Sequence, residues 1–506
     1  MLFHSATFIC GFLIPVLVVF YATAGFAGVR AALWVLVAAS FVFYGWSHPV
    51  HVAILLGSIM VNYFLAGQLI ATRGTSRGKF LLILGVALNL ALLAWFKYAL
   101  FFAGILRDVT GWAPTLAATV LPLGISFFTF QKIAYLVDAW RGRFTTQRWA
   151  DYALFVSFFP QLIAGPIVHH TEFFPQLHGD EFARWRSARV VGGAAIFILG
   201  VGKKMLLADV FAGHADVIFA GFSAGQAMSA LAAWGGVLAY TFQIYFDFSA
   251  YTDMAFGLAL LFGITLPENF TAPYRATSII EFWRRWHMTL SRFLRDYLYI
   301  PLGGSHGGRL RQAFNLVVTM VLGGLWHGAA WTFVVWGAWH GVALAGNHAW
   351  RQRGLRLPGP VAWVVTFLVV TTGWVFFRAE SFAGAGHALR AMFTGADGWS
   401  PGMGALRDLR PTPEHNEFND VFGYLGWAGG DWRNVLLSAA AQRTLWLALG
   451  FALVLTATPV IRWLWDFERN QPRLSTWKAM VVGGVLFAVL VRGISAVPST
   501  FIYFRF

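Results

Sequence analysis

Apolar runs of about 20 residues recur along the chain and alternate with short stretches in which lysine and arginine cluster. An α-helix of that length crosses the hydrocarbon core of a bilayer, and lipid satisfies no backbone polar group, so each run is expected to be helical. The pattern predicts apolar segments at about 8–26, 31–46, 50–71, 80–106, 116–140, 151–168, 190–208, 227–246, 250–266, 312–332, 333–350, 360–378, 443–465 and 479–498.

The composition agrees with this pattern. Of 506 residues, 58% are hydrophobic and 12% are charged, whereas soluble domains carry about 25% charged residues. The mean hydropathy is +0.62. Because the sequence has no long polar linker, we expect one all-α polytopic membrane domain over residues 1–506, in which 381–440 forms a periplasmic loop region.

The basic residues predict the orientation of the chain. A net charge of +15 would suggest nucleic acid in a soluble protein, but these cations lie between apolar runs, which is the positive-inside pattern of membrane proteins. We expect no nucleic-acid partner. Placing the loops at 72–79, 141–150, 351–357 and 466–478 in the cytoplasm puts the N-terminus in the periplasm. The first apolar run lacks a basic flank and a cleavage site, so it is predicted to be a membrane helix rather than a signal peptide.

The centre of the chain departs from simple alternation. Pro160, Gly165 and Pro166 interrupt segment 151–168, which predicts a re-entrant segment. Both ends of 312–350 have cytoplasmic character, so His327 is expected on a helix pair or a broken helix rather than on a plain span. Non-helical backbone at membrane depth persists only where it is buried in protein or lines a cavity. We therefore expect a central cavity or tunnel here.

Segment 281–300 is predicted to be an amphipathic helix at the membrane interface. Its apolar residues repeat at intervals of three and four, and His287 falls on the same protein-facing side. Its arginines lie on or near another side, where they can meet lipid phosphates. The apolar stripe consists of Trp283, Trp286, Leu290, Leu294 and Tyr297, and the arginines are Arg284, Arg285, Arg292 and Arg295.

His327 is the main candidate for catalysis. A charged or strongly polar group in mid-membrane costs about 2.5–3.5 kcal/mol on insertion scales, so an ionisable residue there calls for a functional reason. Imidazole titrates near neutral pH and can serve as a general base. The alternative is a core histidine that bonds a neighbouring helix. Glycines at 323, 324 and 328 predict close approach of other atoms to its ring. His287 is a candidate second catalytic or orienting group, and His340 is interpreted as structural.

The sequence does not favour a metal site. His169, His170 and Glu172, together with the central histidines, supply enough ligands in number for haem or zinc. However, no HExxH, CxxC or paired-histidine helix spacing is present. We expect no metal and no tightly bound cofactor.

A second polar cluster lies inside apolar sequence. Asp247, Ser249, Tyr251 and Asp253 fall within nine residues of one another. They could form a proton relay, a site for a substrate hydroxyl, or a structural hub paired with Arg284 or Arg285, because charges inside helix bundles normally pair.

Three blocks of the chain resemble the membrane-bound O-acyltransferases (MBOAT): 245–257, 282–304 and 324–331. Within that family the chain is similar to the bacterial branch of the alginate O-acetyltransferase membrane subunit, and residues 158–166 and 501–506 share this similarity. The resemblance implies an MBOAT-like helical core around a tunnel, with His327 as the catalytic residue and His287 in the central motif.

The resemblance also implies substrates and partners. Acetyl-CoA would be the cytoplasmic co-substrate, and the acceptor would be a hydroxyl on a periplasmic acetyltransferase partner or directly on an exopolysaccharide such as alginate or cellulose. The enzyme would lie among the lipids of the bacterial inner membrane. Candidate substrate-binding residues are Trp326, Arg284, Arg285, Asp247, Ser249, Tyr251 and Asp253. Two other classes stay open: a polysaccharide or lipid transporter, and a non-catalytic scaffold of an exopolysaccharide machine. A transporter would more often show internal repeats.

Overall fold

The computed structural model describes residues 1–112, 120–145, 148–163, 165–395 and 439–495. Within these ranges the chain is helical, apart from turns, connecting segments and one short antiparallel ladder, Trp465–Asp466 with Gln471–Pro472. The helices are α1 (Ala6–Ala27), α2 (Val29–Gly45), α3 (Val50–Ala71), α4 (Ser76–Thr110), α5 (Ile125–Arg141), α6 (Trp149–Ser157), α7 (Phe159–Leu162), α8 (His170–Leu177), α9 (Ser187–Ser223), α10 (Ala230–Leu261), α11 (Ile279–Arg285), α12 (Met288–Leu294), α13 (Arg309–His327), α14 (Trp331–Gln352), α15 (Gly359–Arg378), α16 (Phe382–Phe393), α17 (Ala439–Thr456), α18 (Val460–Leu464) and α19 (Thr476–Ser495).

The predicted all-α membrane fold is confirmed. Six helices in the described part of the chain are long and apolar enough to cross a bilayer: α1, α3, α4, α9, α15 and α19. Helices α2 and α17 are apolar but shorter. The protein is therefore a multi-pass membrane protein. Much of the predicted loop region 381–440 and the C-terminal segment 501–506 lie outside the described residues.

Helix α10 is the central element of the fold. The sequence predicted two apolar segments here, 227–246 and 250–266, but the structure has one continuous helix of 32 residues, Ala230–Leu261. Nearly every residue of its second half is buried, and it contacts α9, α15, α16 and α17. The predicted break is wrong because the carboxylates at its middle have lysine partners, described below, and so do not interrupt the helix.

The predicted interruption of segment 151–168 is confirmed. Helix α6 ends at Ser157, α7 is a single turn, and the described residues between α7 and α8 (163 and 165–169) are not helical. His178 Nε2, which follows α8, lies 2.8 Å from Asp151 Oδ2 near the start of α6. The chain thus returns to the level at which the segment began, as a re-entrant segment does.

Contacts also join the loops that were predicted to share one membrane face. Arg73 donates to the Phe144 carbonyl over 3.3 Å, which connects the first two basic loops. Arg351 donates to Ser278 Oγ over 2.9 Å, and Arg462 pairs with Glu268 at 2.6 Å. The first contact joins two of the predicted basic loops, and the other two connect Arg351, and Arg462 of α18, to the segment 262–280 that precedes α11.

The orientation is tested by cysteine labelling from outside intact cells. In a protein whose native Cys10 is replaced by serine, a cysteine at Gly404 is expected to react and one at Gly74 is expected to be spared, because the positive-inside pattern places Gly74 in the cytoplasm. Gly404 lies outside the described residues, whereas Gly74 lies in the turn between α3 and α4. The opposite labelling pattern would invert the predicted orientation. Permeabilised cells, in which both sites should react, serve as the control.

Candidate active site

His327 is the last residue of α13, and α14 begins four residues later. The two helices form an antiparallel hairpin whose backbones touch. A Cβ at Gly324 would lie 2.2 Å from the Phe333 carbonyl oxygen, and a Cβ at Gly337 would lie 2.3 Å from the Met320 carbonyl oxygen. Only glycine fits at such a separation. The predicted helix pair is confirmed, and at Gly324 the glycine serves the approach of α14 rather than access to the imidazole.

Aromatic rings surround the His327 imidazole. Its ring centroid lies 4.9 Å from Trp326, 5.2 Å from Trp336 and 5.2 Å from Phe377. The residue is 5% exposed. His327 therefore faces the interior of the helix bundle and not lipid, at a point where regular helix stops.

His287 lies at a break that the sequence did not predict. The expected single helix over 281–300 is wrong: α11 ends at Arg285 and α12 starts at Met288. His287 adopts the left-handed backbone conformation, with φ 43° and ψ 53°. For a non-glycine residue this costs about 1–2 kcal/mol, so the surroundings must impose it. Segment 281–300 is therefore two short helices and a π-helical turn, Arg295–Tyr299, packed into the bundle.

Asn269 holds this break in place. Its side-chain Oδ1 accepts from the Thr289 hydroxyl over 2.9 Å and from the Thr289 N–H over 3.3 Å, and its carbonyl accepts from the Met288 N–H over 2.9 Å. His287 Nδ1 lies 3.0 Å from the same Oδ1. Since that oxygen only accepts, the hydrogen-bond pattern assigns the proton to Nδ1 and leaves Nε2 as the acceptor in neutral His287. The predicted burial of His287 is confirmed, because it is 0% exposed.

Trp326 brings the two histidines together. Its ring lies 6.3 Å from the His287 ring and 4.9 Å from the His327 ring. The indole is itself fixed, because Nε1 donates to the Ser126 carbonyl over 3.3 Å and the ring stacks on Phe130 at 5.2 Å. Trp326, which the sequence gave as a candidate substrate-binding residue, thus contacts both candidate catalytic imidazoles.

His340 lies on the other side of this aromatic group. Its ring is 4.9 Å from Trp336 and 5.4 Å from Trp283, and it is fully buried. Among the described residues neither ring nitrogen has a hydrogen-bond partner. These surroundings are those of a packed core residue, as the sequence interpretation had it.

Sequence reasoning missed Lys97 and Tyr98. Lys97 Nζ donates to the carbonyls of Trp326 over 2.7 Å and of His327 over 2.9 Å, and Tyr98 donates to the Leu325 carbonyl over 2.8 Å. Both residues come from a π-helical turn, Ala94–Tyr98, within α4. The signal was present in the sequence, because Lys97 is the single cation between Lys79 and Arg107 in an otherwise apolar stretch.

The acidic cluster on α10 forms a buried ion-pair network. Asp253 pairs with Lys203, and Lys204 lies 3.0 Å from Asp247 and 2.7 Å from Asp209. The expectation that Arg284 or Arg285 would pair with these carboxylates is wrong, since Arg285 pairs with Glu281 at 2.6 Å. The partners, Lys203 and Lys204, are two cations inside the predicted apolar segment 190–208, so the sequence offered a signal for them. Such charges need partners because burial without one is costly.

The remaining members of that cluster have separate contacts. Ser249 Oγ accepts from Lys203 over 3.3 Å, and the Tyr251 ring stacks on Phe3 near the N-terminus at 4.9 Å. On the same helix, Phe248 packs edge-on against the His287 ring at 4.8 Å. Helix α10 therefore contacts both the lysines of the ion-pair network and the His287 ring.

A cavity of about 690 Å³ lies along α11 and α12 and against the facing sides of α13 and α14. Arg284, Arg292 and Arg295 line it, together with Trp283 and His348. Arg292 is neutralised by Glu172 at 2.8 Å and Arg295 by Asp296 at 2.7 Å. The Trp283 ring packs 5.9 Å from Trp336, which in turn contacts His327. The cavity thus has cationic side chains in its lining, and two packed tryptophans, Trp283 and Trp336, lie between it and His327.

The candidate ligands of the metal interpretation have other contacts. His169 Nδ1 lies 3.3 Å from the Tyr297 hydroxyl, and the Glu172 carboxylate accepts from Arg292 and from the His169 N–H. His170 Nδ1 is 3.6 Å from Asp138. In the described ranges no three histidine, cysteine or acidic side chains converge as metal ligands.

Comparison with known proteins decides the family. Residues 141–370 match the membrane-bound O-acyltransferase family. The "Peptidoglycan O-acetyltransferase" of Helicobacter pylori is 40% identical over 391 residues, which covers 71% of this chain and 73% of that protein. The "Probable alginate O-acetylase AlgI" of Pseudomonas aeruginosa is 42% identical over 409 residues, covering 78% and 75%. The chain belongs to the membrane-bound O-acyltransferase family.

A more distant relative widens the range of acyl groups in the family. The "Teichoic acid D-alanyltransferase" of Bacillus subtilis is 28% identical over 286 residues, covering 51% of this chain and 69% of that protein.

The relatives at about 40% identity place the chain in the alginate O-acetylase-like branch of the family, as an O-acyltransferase. Both histidines, Trp326 and the arginines of the cavity fall within the matched region 141–370. Lys97 lies outside it.

Proposed function

We propose that this acyltransferase moves an acetyl group from cytoplasmic acetyl-CoA across the bacterial inner membrane to a hydroxyl group on the periplasmic side, with His327 as general base. The observation that carries the proposal is the position of His327. It is buried at the junction of α13 and α14, and Trp326 contacts both its ring and the His287 ring. A scaffold needs no such imidazole.

The chemistry assigns a role to each group. His327 takes the proton of the acceptor hydroxyl while the oxygen attacks the thioester carbonyl. The new C–O bond forms, the C–S bond breaks, and the imidazolium returns the proton to the departing thiolate. A positioned base contributes about 10²- to 10⁴-fold to such a step. Burial excludes water, which would otherwise compete as the nucleophile.

His287 and Trp326 would orient the reactants. Neutral His287 presents Nε2 as an acceptor, and within the described structure this nitrogen has no protein partner. It can therefore accept a hydrogen bond from the acceptor hydroxyl or hold it toward His327. Asn269 fixes the tautomer, which is the role of the third group in a base–orienter arrangement.

The acceptor is inferred from the names of the relatives. These name peptidoglycan and alginate, and both are polysaccharides with free hydroxyls. We infer a polysaccharide acceptor, reached directly or through a periplasmic acetyltransferase partner. Labelled acetyl-CoA supplied to proteoliposomes tests this function against the two other classes. Transfer of label to an oligosaccharide or to the partner supports the proposal. Transport of polysaccharide without transfer of label would instead identify a transporter. The absence of both transport and transfer would indicate a non-catalytic scaffold.

The cavity beside α11 and α12 is proposed to admit the donor. Arginine suits phosphate because its planar fork bonds two oxygens at once, and CoA carries several phosphates. Arg284, Arg292 and Arg295 line the cavity. Arg285 lies next to Arg284 in the sequence and is held by Glu281, so its contact with phosphate stays a prediction.

Replacing Arg284, Arg292 and Arg295 together with alanine is expected to raise the apparent KM for acetyl-CoA by about 10- to 100-fold, because a hydrogen bond to a charged group contributes about 1.5–3 kcal/mol. The turnover rate at saturating donor should change much less. Arg353→Ala, an exposed arginine on the same predicted face, is the matched control. An unchanged KM in the triple variant would refute the phosphate role.

A further inference from the structure

The C-terminal end of α13 carries the catalytic candidate and also exposes backbone carbonyls. The last four carbonyls of a helix have no partner within the helix and must be satisfied from elsewhere. Three consecutive carbonyls of α13, those of Leu325, Trp326 and His327, accept hydrogen bonds from side chains of a distant helix. The donors, Lys97 and Tyr98, precede them by more than 220 residues in the sequence.

A local distortion of α4 presents these donors. Residues Ala94–Tyr98 form a π-helical turn. Such a turn inserts one extra residue into the helix, changes the direction of the side chains around it, and is frequent at functional sites. Here it places two neighbouring side chains, Lys97 and Tyr98, on the same end of α13. Two adjacent residues of a regular helix point about 100° apart and would not share so small a target.

Lys97 also fixes Trp326. Its ammonium lies 3.4 Å from Ser126 Oγ, and the Ser126 carbonyl accepts from Trp326 Nε1 over 3.3 Å. Lys97 bonds the Trp326 carbonyl as well. The lysine therefore holds the backbone of both Trp326 and His327, while Ser126 holds the indole that contacts the two histidines.

The electrostatic setting of Lys97 is that of a helix cap. The C-terminal end of a helix carries partial negative charge, and a cation there is stabilising. Within the described part of the chain, the hydrogen-bond partners of Lys97 are oxygens of Ser126, Trp326 and His327, and none is a carboxylate. Buried lysines normally pair with acids, as Lys203 does with Asp253. The ammonium is thus directed at the helix end that bears His327.

We propose that Lys97, with Tyr98, is a positioning residue that fixes His327 and supplies positive charge beside its imidazole. This inference rests on the proposed function, since it assigns Lys97 a part in the same reaction. The titratable groups around His327 are Lys97 from α4, His287 from the α11–α12 break and His340 from α14. Of these, Lys97 alone bonds the backbone of His327.

The test uses the full-length protein in proteoliposomes with labelled acetyl-CoA. Lys97→Met keeps a similar volume but removes the charge and the donors, and it is expected to lower kcat by about 10- to 100-fold with the KM for acetyl-CoA unchanged. The acid limb of the pH–rate profile should move to higher pH, because a neighbouring cation no longer opposes protonation of the base. Lys97→Arg should recover part of the rate, and Tyr98→Phe should cost less than Lys97→Met.

Lys132→Met is the matched control. Lys132 is also fully buried, but it bonds Ser58 and lies over the Phe128 ring at 4.2 Å. A purely structural role for Lys97 would lower the rate equally at every pH and would give no recovery with arginine. That result, or a near-normal kcat in Lys97→Met, would overturn the proposal. Wild-type transfer together with loss in His327→Ala tests the proposed function separately, so the two failures are distinguishable. If Lys97→Met does not fold, Tyr98→Phe and Lys97→Arg still give a rate and a pH profile.

Discussion

Replacing His327 with alanine is expected to abolish acyl transfer, with a loss of at least about 10²-fold. A hydroxyl group attacks a thioester poorly without a base within hydrogen-bond reach. Expression and membrane insertion should stay near normal, because removing a neutral imidazole from an aromatic pocket leaves no buried charge without a partner. The measurement is transfer from labelled acetyl-CoA in proteoliposomes. Retained transfer by this variant would remove His327 from the mechanism.

Two other histidines complete this experiment. His287→Ala is expected to weaken transfer less than His327→Ala, because the proposed role of His287 is to orient the hydroxyl. His51→Ala is a matched control, since His51, at the start of α3, is also buried. Its ring lies 5.1 Å from the ring of His48, which is on the loop between α2 and α3. A loss in His51→Ala as large as in His327→Ala would indicate that removing any buried histidine unfolds the protein.

Gly337→Ala is expected to lower both the thermal stability and the activity of the protein. The added Cβ would lie 2.3 Å from the Met320 carbonyl oxygen and 2.8 Å from the Val321 Cα, so α13 and α14 must separate. Overpacking of this kind costs about 1–3 kcal/mol. Because a displacement of about 1 Å at reacting groups can cost 10²-fold in rate, transfer should fall more steeply than stability. Thermal unfolding in detergent and labelled transfer measure the two effects.

Gly346→Ala provides the comparison on the same helix. A Cβ at Gly346 meets no atom within 4 Å. Alanine in a helix is favoured over glycine by about 0.5–1 kcal/mol, so this variant should be as stable as the wild type or slightly more stable. If Gly337→Ala behaves like Gly346→Ala, the close contact of α13 and α14 does not hold His327 in place.

Several features of the site follow from local sequence. The broken segment 151–168 follows from Pro160 and Gly165, because proline and glycine interrupt helices wherever they fall. The helix pair around His327 follows from the length of the apolar stretch 312–350 and from cations at both of its ends. The burial of His287 follows from its place among tryptophans at helical spacing. Each of these depends on residues within one continuous stretch of the sequence.

Other features depend on residues far apart in the chain. The break at His287 is imposed by Asn269, and an apolar periodicity of three and four gave no sign of it. The carboxylates of α10 pair with Lys203 and Lys204, whereas the sequence suggested arginines. Any cation at a suitable depth satisfies a buried acid, so the choice among them is made by the packing of α9 on α10.

The sequence by itself determined a helical membrane protein, the interruption of segment 151–168 and the helix pair around His327, and it pointed to His327 as the candidate for its chemistry. Periodicity and breakers act locally, and they can be read one helix at a time. Only the tertiary structure decided what surrounds that histidine. Lys97 reaches His327 across 230 residues of sequence, Trp326 connects it to His287, and the arginines gather around one cavity. These contacts form because the helices pack closely enough for their backbones to touch, and a hydrophobic pattern carries no record of which faces will meet.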